Sequence, residues 1–277
     1  MRKLFIVPDG GLGNRLRAIA SGIWLARAAK CEPVIVWHAD AMCQVNLDDI
    51  LNIEHIPAQV ITPGKAIYRS LFEIPRRRNL YLPALLAPMK FGRRFYDNRN
   101  LMAYCDDAPE LLHASIQAAG DLLFFSGQEF FDFPRDFFRQ IFHVSSDVVR
   151  KAEAILREKR PRIAVQIRRT DHDVAIENSP EDAFMEKLSE LSHDDCFFLA
   201  TDDEDVKARF RVRYGPQLIT NATEARRDTR EGIMDAMAEL WIMAQTERIY
   251  GSLGSSFPEV AAWLGGAELI RVGRKAK

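Results

Sequence analysis

The strongest constraint on this chain is the alternation that follows Arg160-Pro161-Arg162. Short apolar runs and helix-length amphipathic segments take turns there. The pattern predicts strands over 163–167 and 196–200, with helices near 180–191 and 203–212. A short strand near 217–219, a helix near 230–245, a strand over 248–251, a helix near 256–264 and a last strand over 268–272 complete the series. Parallel neighbours need a crossover of helical length, so this order specifies a doubly wound α/β sheet.

The chain opens in the same way. An apolar run over 3–7 is followed by turn chemistry from Pro8 to Gly13. Helical periodicity then runs over 14–29 through Leu16, Ile19, Ala20 and Ile23, and Pro33 introduces a buried strand over 34–37. From about 38 to 108 no period is sustained. Order returns with a helix near 109–118, a strand over 121–125 and an amphipathic helix near 145–159. The expected architecture is α/β, with two Rossmann-like doubly wound domains, 1–160 and 161–277, facing across a cleft.

Charge and cysteine usage then exclude function classes. Lys and Arg number 38 against 39 Asp and Glu, so there is no global basic excess to attract nucleic acid, and any anion must be held by a local site. The four cysteines form no CxxC pair, which argues against a disulfide framework or zinc ribbon and for a reducing compartment. The apolar run at the N-terminus stops at Pro8, too short for a secretory signal. No run of about 18 apolar residues offers a membrane span. A soluble cytoplasmic protein is expected.

Ligands of open parallel sheets bind beyond the carboxyl ends of the strands. Arg168-Arg169-Thr170-Asp171 follows the first strand of the C-terminal half, Thr201-Asp202-Asp203 the second, and Ser252-Leu253-Gly254-Ser255-Ser256 the fourth. Guanidinium, hydroxyl and helix N-terminus together suit a phosphate-bearing ligand, and carboxylates suit the hydroxyls or amines of a base or sugar. Each group also has a plainer use. Adjacent arginines on a strand point to opposite faces, and either aspartate or either serine is a natural helix cap. The turn Gly10-Gly11-Leu12-Gly13-Asn14-Arg15-Leu16 sits where phosphate loops sit, yet it lacks Gly-Lys-Ser/Thr and the third glycine of GxGxxG. It reads either as a steric βα turn or as backbone that approaches a ligand.

These residues carry a resemblance. Gly11-Leu12-Gly13-Asn14-Arg15-Leu16, Val165-Gln166-Ile167-Arg168-Arg169-Thr170-Asp171, Leu199-Ala200-Thr201-Asp202-Asp203 and Gly254-Ser255-Ser256-Phe257 stand in the order found in a known group. The chain resembles the α-1,6-fucosyltransferases, including the nodulation-factor enzyme, and the related protein O-fucosyltransferases. The resemblance implies a GT-B fold, GDP-fucose as donor substrate, inversion at the anomeric carbon, and no metal or other cofactor. It likens Arg168 to the arginine that holds the donor β-phosphate, with Arg169 its neighbour. Asp202 and Asp203 resemble a pair facing the guanosine, and Ser255 and Ser256 a turn that contacts phosphate. Glu239 falls where the family has aspartate. Gly11, Gly13, Asn14, Arg15, Gln166 and Phe257 are the further donor-side positions. Gln166 stands where the family often has His, and His172 replaces a lysine, so two rivals stay open: a GT-B enzyme with another donor, and a non-catalytic nucleotide-binding protein. A nicotinamide-dependent oxidoreductase is weakened by the incomplete glycine fingerprint.

Transfer from a nucleoside diphosphate must stabilise the leaving diphosphate, and arginine with helix-end amides can replace a metal there. A carboxylate can deprotonate the acceptor hydroxyl of a glycan or lipid-linked glycan. Glu177 is the candidate base. Asp171 is assigned to orienting the arginines, since pairing with arginine lowers a carboxylate's pKa. The stretch 65–99 is basic with interleaved aromatics. It reads as solvated surface over a core, or else as a peripheral contact with an anionic acceptor or the inner face of a membrane.

Overall fold

The computed structural model describes residues 1–64, 69–104, 107–170 and 173–273. In chain order the first elements are β1 (Lys3–Pro8), α1 (Leu12–Ala28), β2 (Glu32–Val36), α2 (Leu47–Ile50), β3 (Gln59–Ile61), α3 (Leu82–Leu86), β4 (Phe91–Tyr96), α4 (Ala108–Gln117), β5 (Asp121–Ser126) and α5 (Arg135–Ile141). There follow α6 (Ser146–Leu156), β6 (Ile163–Ile167), α7 (Asp173–Asn178), α8 (Glu181–Leu188), β7 (Phe197–Thr201), α9 (Glu204–Tyr214), β8 (Leu218–Thr220), α10 (Arg230–Ala244), β9 (Arg248–Ser252), α11 (Ser256–Gly265) and β10 (Glu268–Val272). They form two compact units, the first made of Met1–Met42 and Asn52–His143, the second of Cys43–Leu51 and Val144–Lys277.

Unit 1 holds a five-stranded parallel sheet in the order β3-β2-β1-β5-β4. Phe5 and Val7 of β1, Val34 and Val36 of β2 and Leu123 of β5 point to one face, where Phe72, Ile74 and Phe91 cover them. Phe5 lies 5.6 Å from the Phe72 ring and 5.3 Å from that of Phe91. The stretch without period therefore supplies both core and two strands. Its silence has physical causes. β3 is only three residues long. In β4 the pairing register shifts between Phe91 and Arg93, which breaks the two-residue alternation. On the other face α1 packs close, and a Cβ at Gly22 would come within 2.5 Å of the Ile6 side chain.

Unit 2 holds a second five-stranded parallel sheet, in the order β10-β9-β6-β7-β8. Val165, Ile167, Phe197, Leu199 and Tyr250 join Phe184, Leu188, Val206 and Phe210 from α8 and α9 in one cluster. This unit starts at Val144, ahead of Arg160-Pro161-Arg162. The reason lies in α6, whose buried stripe Val148, Ala152, Leu156 gives it one apolar face and which packs on α10. Lys151 of α6 pairs with Asp235 of α10 at 2.5 Å. The segment around α2 joins the same unit, with Gln44 N–H donating to the Arg227 carbonyl at 3.0 Å and Asp49 pairing with Arg230 at 2.7 Å. Among the described residues no helix is long and apolar enough to cross a membrane.

Candidate functional site

In the strand order of unit 2 the winding reverses between β6 and β9, and at such a reversal a crevice opens above the strands' carboxyl ends. Ser252, buried at the end of β9, ties the two strands there. Its hydroxyl accepts from the Arg168 N–H at 3.0 Å and donates to the Gln166 carbonyl at 3.2 Å. Arg168 and Arg169 leave the sheet at this point, and Asp202, following β7, receives both. Its Oδ1 accepts from the Arg169 N–H at 2.8 Å. Its Oδ2 accepts from the Thr170 hydroxyl at 2.6 Å and pairs with the Arg168 guanidinium at 2.9 Å.

The two arginines then part, as strand neighbours do. Arg169 turns inward, donating to the carbonyls of Arg168 at 2.9 Å and Ser179 at 2.7 Å. Burial lowers its pKa, opposed by the carboxylates of Glu181, Asp202 and Asp203. Arg168 keeps its side chain 21% exposed beside an Asp202 only 11% exposed. Asp202 braces both arginines, and Asp171, expected to orient them, lies outside the described residues. Asp203 caps α9, accepting from the Val206 N–H at 3.0 Å. The pair expected to face a guanosine is engaged in holding this rim.

Beyond β9 the N-terminus of α11 completes the rim. Ser255 is its N-cap, in extended backbone (φ −77°, ψ 125°) and without a side-chain cap bond, and Ser256 and Phe257 open the first turn, half-buried. Arg271 at the end of β10 pins the turn, donating to the carbonyls of Ser252 at 2.9 Å and Ser255 at 2.7 Å. Arg271 escaped the sequence reasoning, although reading what closes the fifth strand would have found it. Helix N–H groups and the positive end of the dipole favour an anion here, within a rim that already carries Arg168.

A second feature lies on the α10 side of this sheet. Val165 and Ile167 face α8 and α9, so Gln166 faces the opposite way. It is 4% exposed, and its Oε1 has no hydrogen-bond partner. Asn221, just past β8 and 5% exposed, leaves its Nδ2 without a partner of good geometry. Glu239 of α10 lies beside the Asn221 amide, and burial pushes its carboxyl up to about 7 against the pull of the Lys207 ammonium. Lys207 is itself buried and bonds Glu204 at 2.6 Å and the Thr223 carbonyl at 2.8 Å. Native interiors leave few polar atoms unpaired, so the buried Gln166 Oε1 is a candidate contact for a polar ligand.

In unit 1 the glycine turn is open toward solvent. Gly10 takes φ +78°, a conformation side chains resist, and a Cβ on Gly11 would meet nothing within 4 Å. Gly11 caps α1, whose first turn holds no acidic residue, with Gly13 buried and Asn14 accepting from Arg17 at 3.2 Å. Arg15 departs from the expectation of a donor contact. It is fully buried, donates to the carbonyls of Gly10 at 2.8 Å and His38 at 2.5 Å, pairs with Asp40 at 2.7 Å, and lies 5.1 Å from the Trp37 ring. Its acceptors come from the turn after β1 and the segment after β2, which close over the guanidinium.

Glu177 stands exposed on the short helix α7, where a loop was expected. Among the described residues no group of three or more His, Cys, Asp or Glu gathers as metal ligands do. A cavity of about 390 Å³ lies at the amino ends of β6, β7, β9 and β10. That is the edge opposite the rim, and the Arg162–Glu247 pair at 2.8 Å lines it.

Neither a protein-family model nor a curated relative matches the sequence. The fold has solved counterparts. Fucosyltransferase NodZ from Bradyrhizobium matches with a TM-score of 0.65 at 17% identity, over 94% of this chain and 91% of its own. POFUT1 in complex with GDP matches with a TM-score of 0.58 at 12% identity, over 99% of both chains. An arginine-to-lysine mutant of Arabidopsis thaliana FUT1 with GDP matches at 0.57 and 15% identity, over 97% of this chain and 69% of that one. The fold of this chain is the one these fucosyltransferases share.

Proposed function

We propose that this chain is a glycosyltransferase that moves fucose from GDP-fucose to an acceptor hydroxyl, with inversion and without a metal. The observation that carries the reading is the Arg168–Asp202 pair beside the α11 N-terminus, at the winding reversal of a sheet whose solved counterparts include NodZ soaked with GDP-fucose and POFUT1 with GDP-fucose. In the GT-B form of this reading unit 2 holds the donor and unit 1 serves the acceptor, a glycan or lipid-linked glycan. The diphosphate sits on Arg168 and the first-turn amides of α11, which take the place of a divalent cation as negative charge develops on the leaving group. Gln166, Asn221 and Glu239 receive the base. An ionised Glu239 accepts from the ring N–H and amine of guanine, and the Gln166 and Asn221 amides supply further polar contacts.

In the transfer step the acceptor oxygen bonds to the anomeric carbon on the face opposite the leaving group. The carbon–oxygen bond to the β-phosphate breaks, GDP departs with the electron pair, and the acceptor proton goes to Glu177. The test is calorimetry with GDP, UDP and ADP, followed by an assay of fucose release from GDP-fucose. GDP binding that survives EDTA, with slow release of fucose, is expected. A preference for UDP or ADP overturns the donor assignment, and tight GDP binding with no release or transfer turns the chain into a nucleotide-binding protein.

A further inference from the structure

Unit 1 carries an outward-facing apolar projection that its core does not use. Leu80, Tyr81, Leu82, Leu85 and Met89 are 79%, 56%, 41%, 70% and 84% exposed. In and just after α3 the residues Leu82, Leu85 and Met89 fall on one helical side, while Pro83 and Ala87 on the other side are buried. The element is therefore apolar on both faces, and only one of them is covered.

The projection is held in place by a built turn. Leu80 and Tyr81 both take left-handed backbone, at φ 51° and 56°, which bulky side chains resist. Asn79 fixes that turn, accepting from the Arg76 N–H at 2.8 Å and donating to Glu73 at 3.1 Å and the Ile74 carbonyl at 2.9 Å. The Tyr81 N–H closes it onto the Arg76 carbonyl at 3.1 Å. Strain of this kind persists where the surroundings enforce it and concentrates at sites with a task.

Apart from Glu73, which Asn79 and Arg69 hold, the charge along this stretch is positive. Residues 75–96 contain six Lys and Arg and no Asp or Glu. Some of that charge serves the fold: Lys90 lies 5.0 Å from the Phe5 ring, and Arg93 donates to the Tyr104 hydroxyl at 2.9 Å. Arg77 and Arg78, directly before the projection, are exposed. Protruding apolar side chains beside exposed cations, with the neighbouring Glu73 engaged by Asn79 and Arg69, complement a surface that is apolar below and anionic above.

We infer that Leu80–Met89 docks this chain onto an anionic lipid bilayer. The five apolar side chains enter the boundary between headgroups and acyl chains, and Arg77 and Arg78 pair with lipid phosphates. The element lies in the interface without crossing it. This inference is independent of the donor reading, since neither the sheet edge of unit 2 nor GDP takes part.

The experiment is co-sedimentation of the full chain with vesicles of phosphatidylcholine, with or without phosphatidylglycerol, at low and high salt. Binding to the anionic vesicles alone, released by salt, is expected. Leu82→Ser/Leu85→Ser/Met89→Ser should weaken it about 10-fold or more, since each buried methylene adds to the partition. Arg77→Glu/Arg78→Glu should weaken it by about 5-fold or more per arginine and abolish the preference for phosphatidylglycerol. Circular dichroism melts confirm folding, and the single variant Leu85→Ser replaces the triple one if that unfolds. Failure of the wild type to sediment with anionic vesicles overturns the inference, as does equal sedimentation of wild type and variants. A dimer in solution that Leu85→Ser dissociates also overturns it, by assigning the patch to a second copy.

Discussion

Arg15 in unit 1 and Arg168 in unit 2 both lie beyond the carboxyl end of a strand, Arg15 in the first turn of α1 and Arg168 directly after β6. Their surroundings make them different objects. Arg15 is fully buried, with its guanidinium engaged by two carbonyls, a carboxylate and an indole face. Arg168 pairs with the Asp202 carboxylate and keeps a fifth of its side chain in solvent. A guanidinium closed off from solvent on every side is scaffold, and one that is braced yet partly open to solvent is placed to meet a ligand.

The sharpest way to break that comparison is to remove each arginine. Arg15→Met should lower stability by about 3–5 kcal/mol, because it leaves buried acceptors unmatched, and denaturant unfolding measures it. If Arg15→Met melts normally yet loses GDP binding, Arg15 belongs to the site after all. Arg168→Lys should leave melting unchanged while slowing transfer by about 2–4 kcal/mol of barrier, read from kcat/KM, since lysine lacks the fork that matches a diphosphate. An Arg168→Lys protein with wild-type turnover removes the contrast.

The remaining tests sharpen it at smaller size. Glu177→Gln should lower transfer about 100-fold with GDP affinity intact, as loss of a general base does. Normal turnover would return this exposed residue to the surface. Glu239 supplies a pH test, since its folded-state value of about 7 lies above the ordinary 4.5. Between those values the folded protein keeps a proton that the unfolded chain has lost. Stability therefore falls as pH rises through that window and levels off above it, by on the order of 2 kcal/mol after allowance for partial exposure. Glu239→Gln should flatten the profile, and an unchanged slope would locate the titration elsewhere. Last, Asp203→Ala should cost about 1 kcal/mol through loss of the α9 cap, with GDP affinity unchanged. A fall in GDP affinity would make Asp203 a ligand contact.

What could be read in the sequence follows burial. The strands of unit 2 are apolar through most of their length and are separated by long helices, so their positions were legible. The rim residues Arg168, Asp202 and Ser255 could be named because the first two stand directly after strands and the third opens the helix after one. Which partner each would take could not, since Asp202 reaches Arg168 across 34 positions only once β6 and β7 pair. In unit 1 the short β3 and the register shift in β4 hid half the sheet. Arg15 looked like a ligand because the sequence shows the charge and conceals the carbonyls of Gly10 and His38 that receive it.

The small segment Cys43–Leu51 bears on how the chain is made. It sits within unit 2 although the rest of that unit begins about a hundred residues later, and its Asp49 meets Arg230 at a separation of 181 positions. During synthesis this segment emerges early and must wait for most of the chain before its partners exist. Closing so long a loop is slow and leaves Leu47 and Ile50, both buried in the end, exposed in the interim. A fragment starting at residue 144 would lack that strip, and one ending at 143 would carry it unpaired. Biogenesis therefore handles as a single whole what the two sheets suggest is a pair of separable parts.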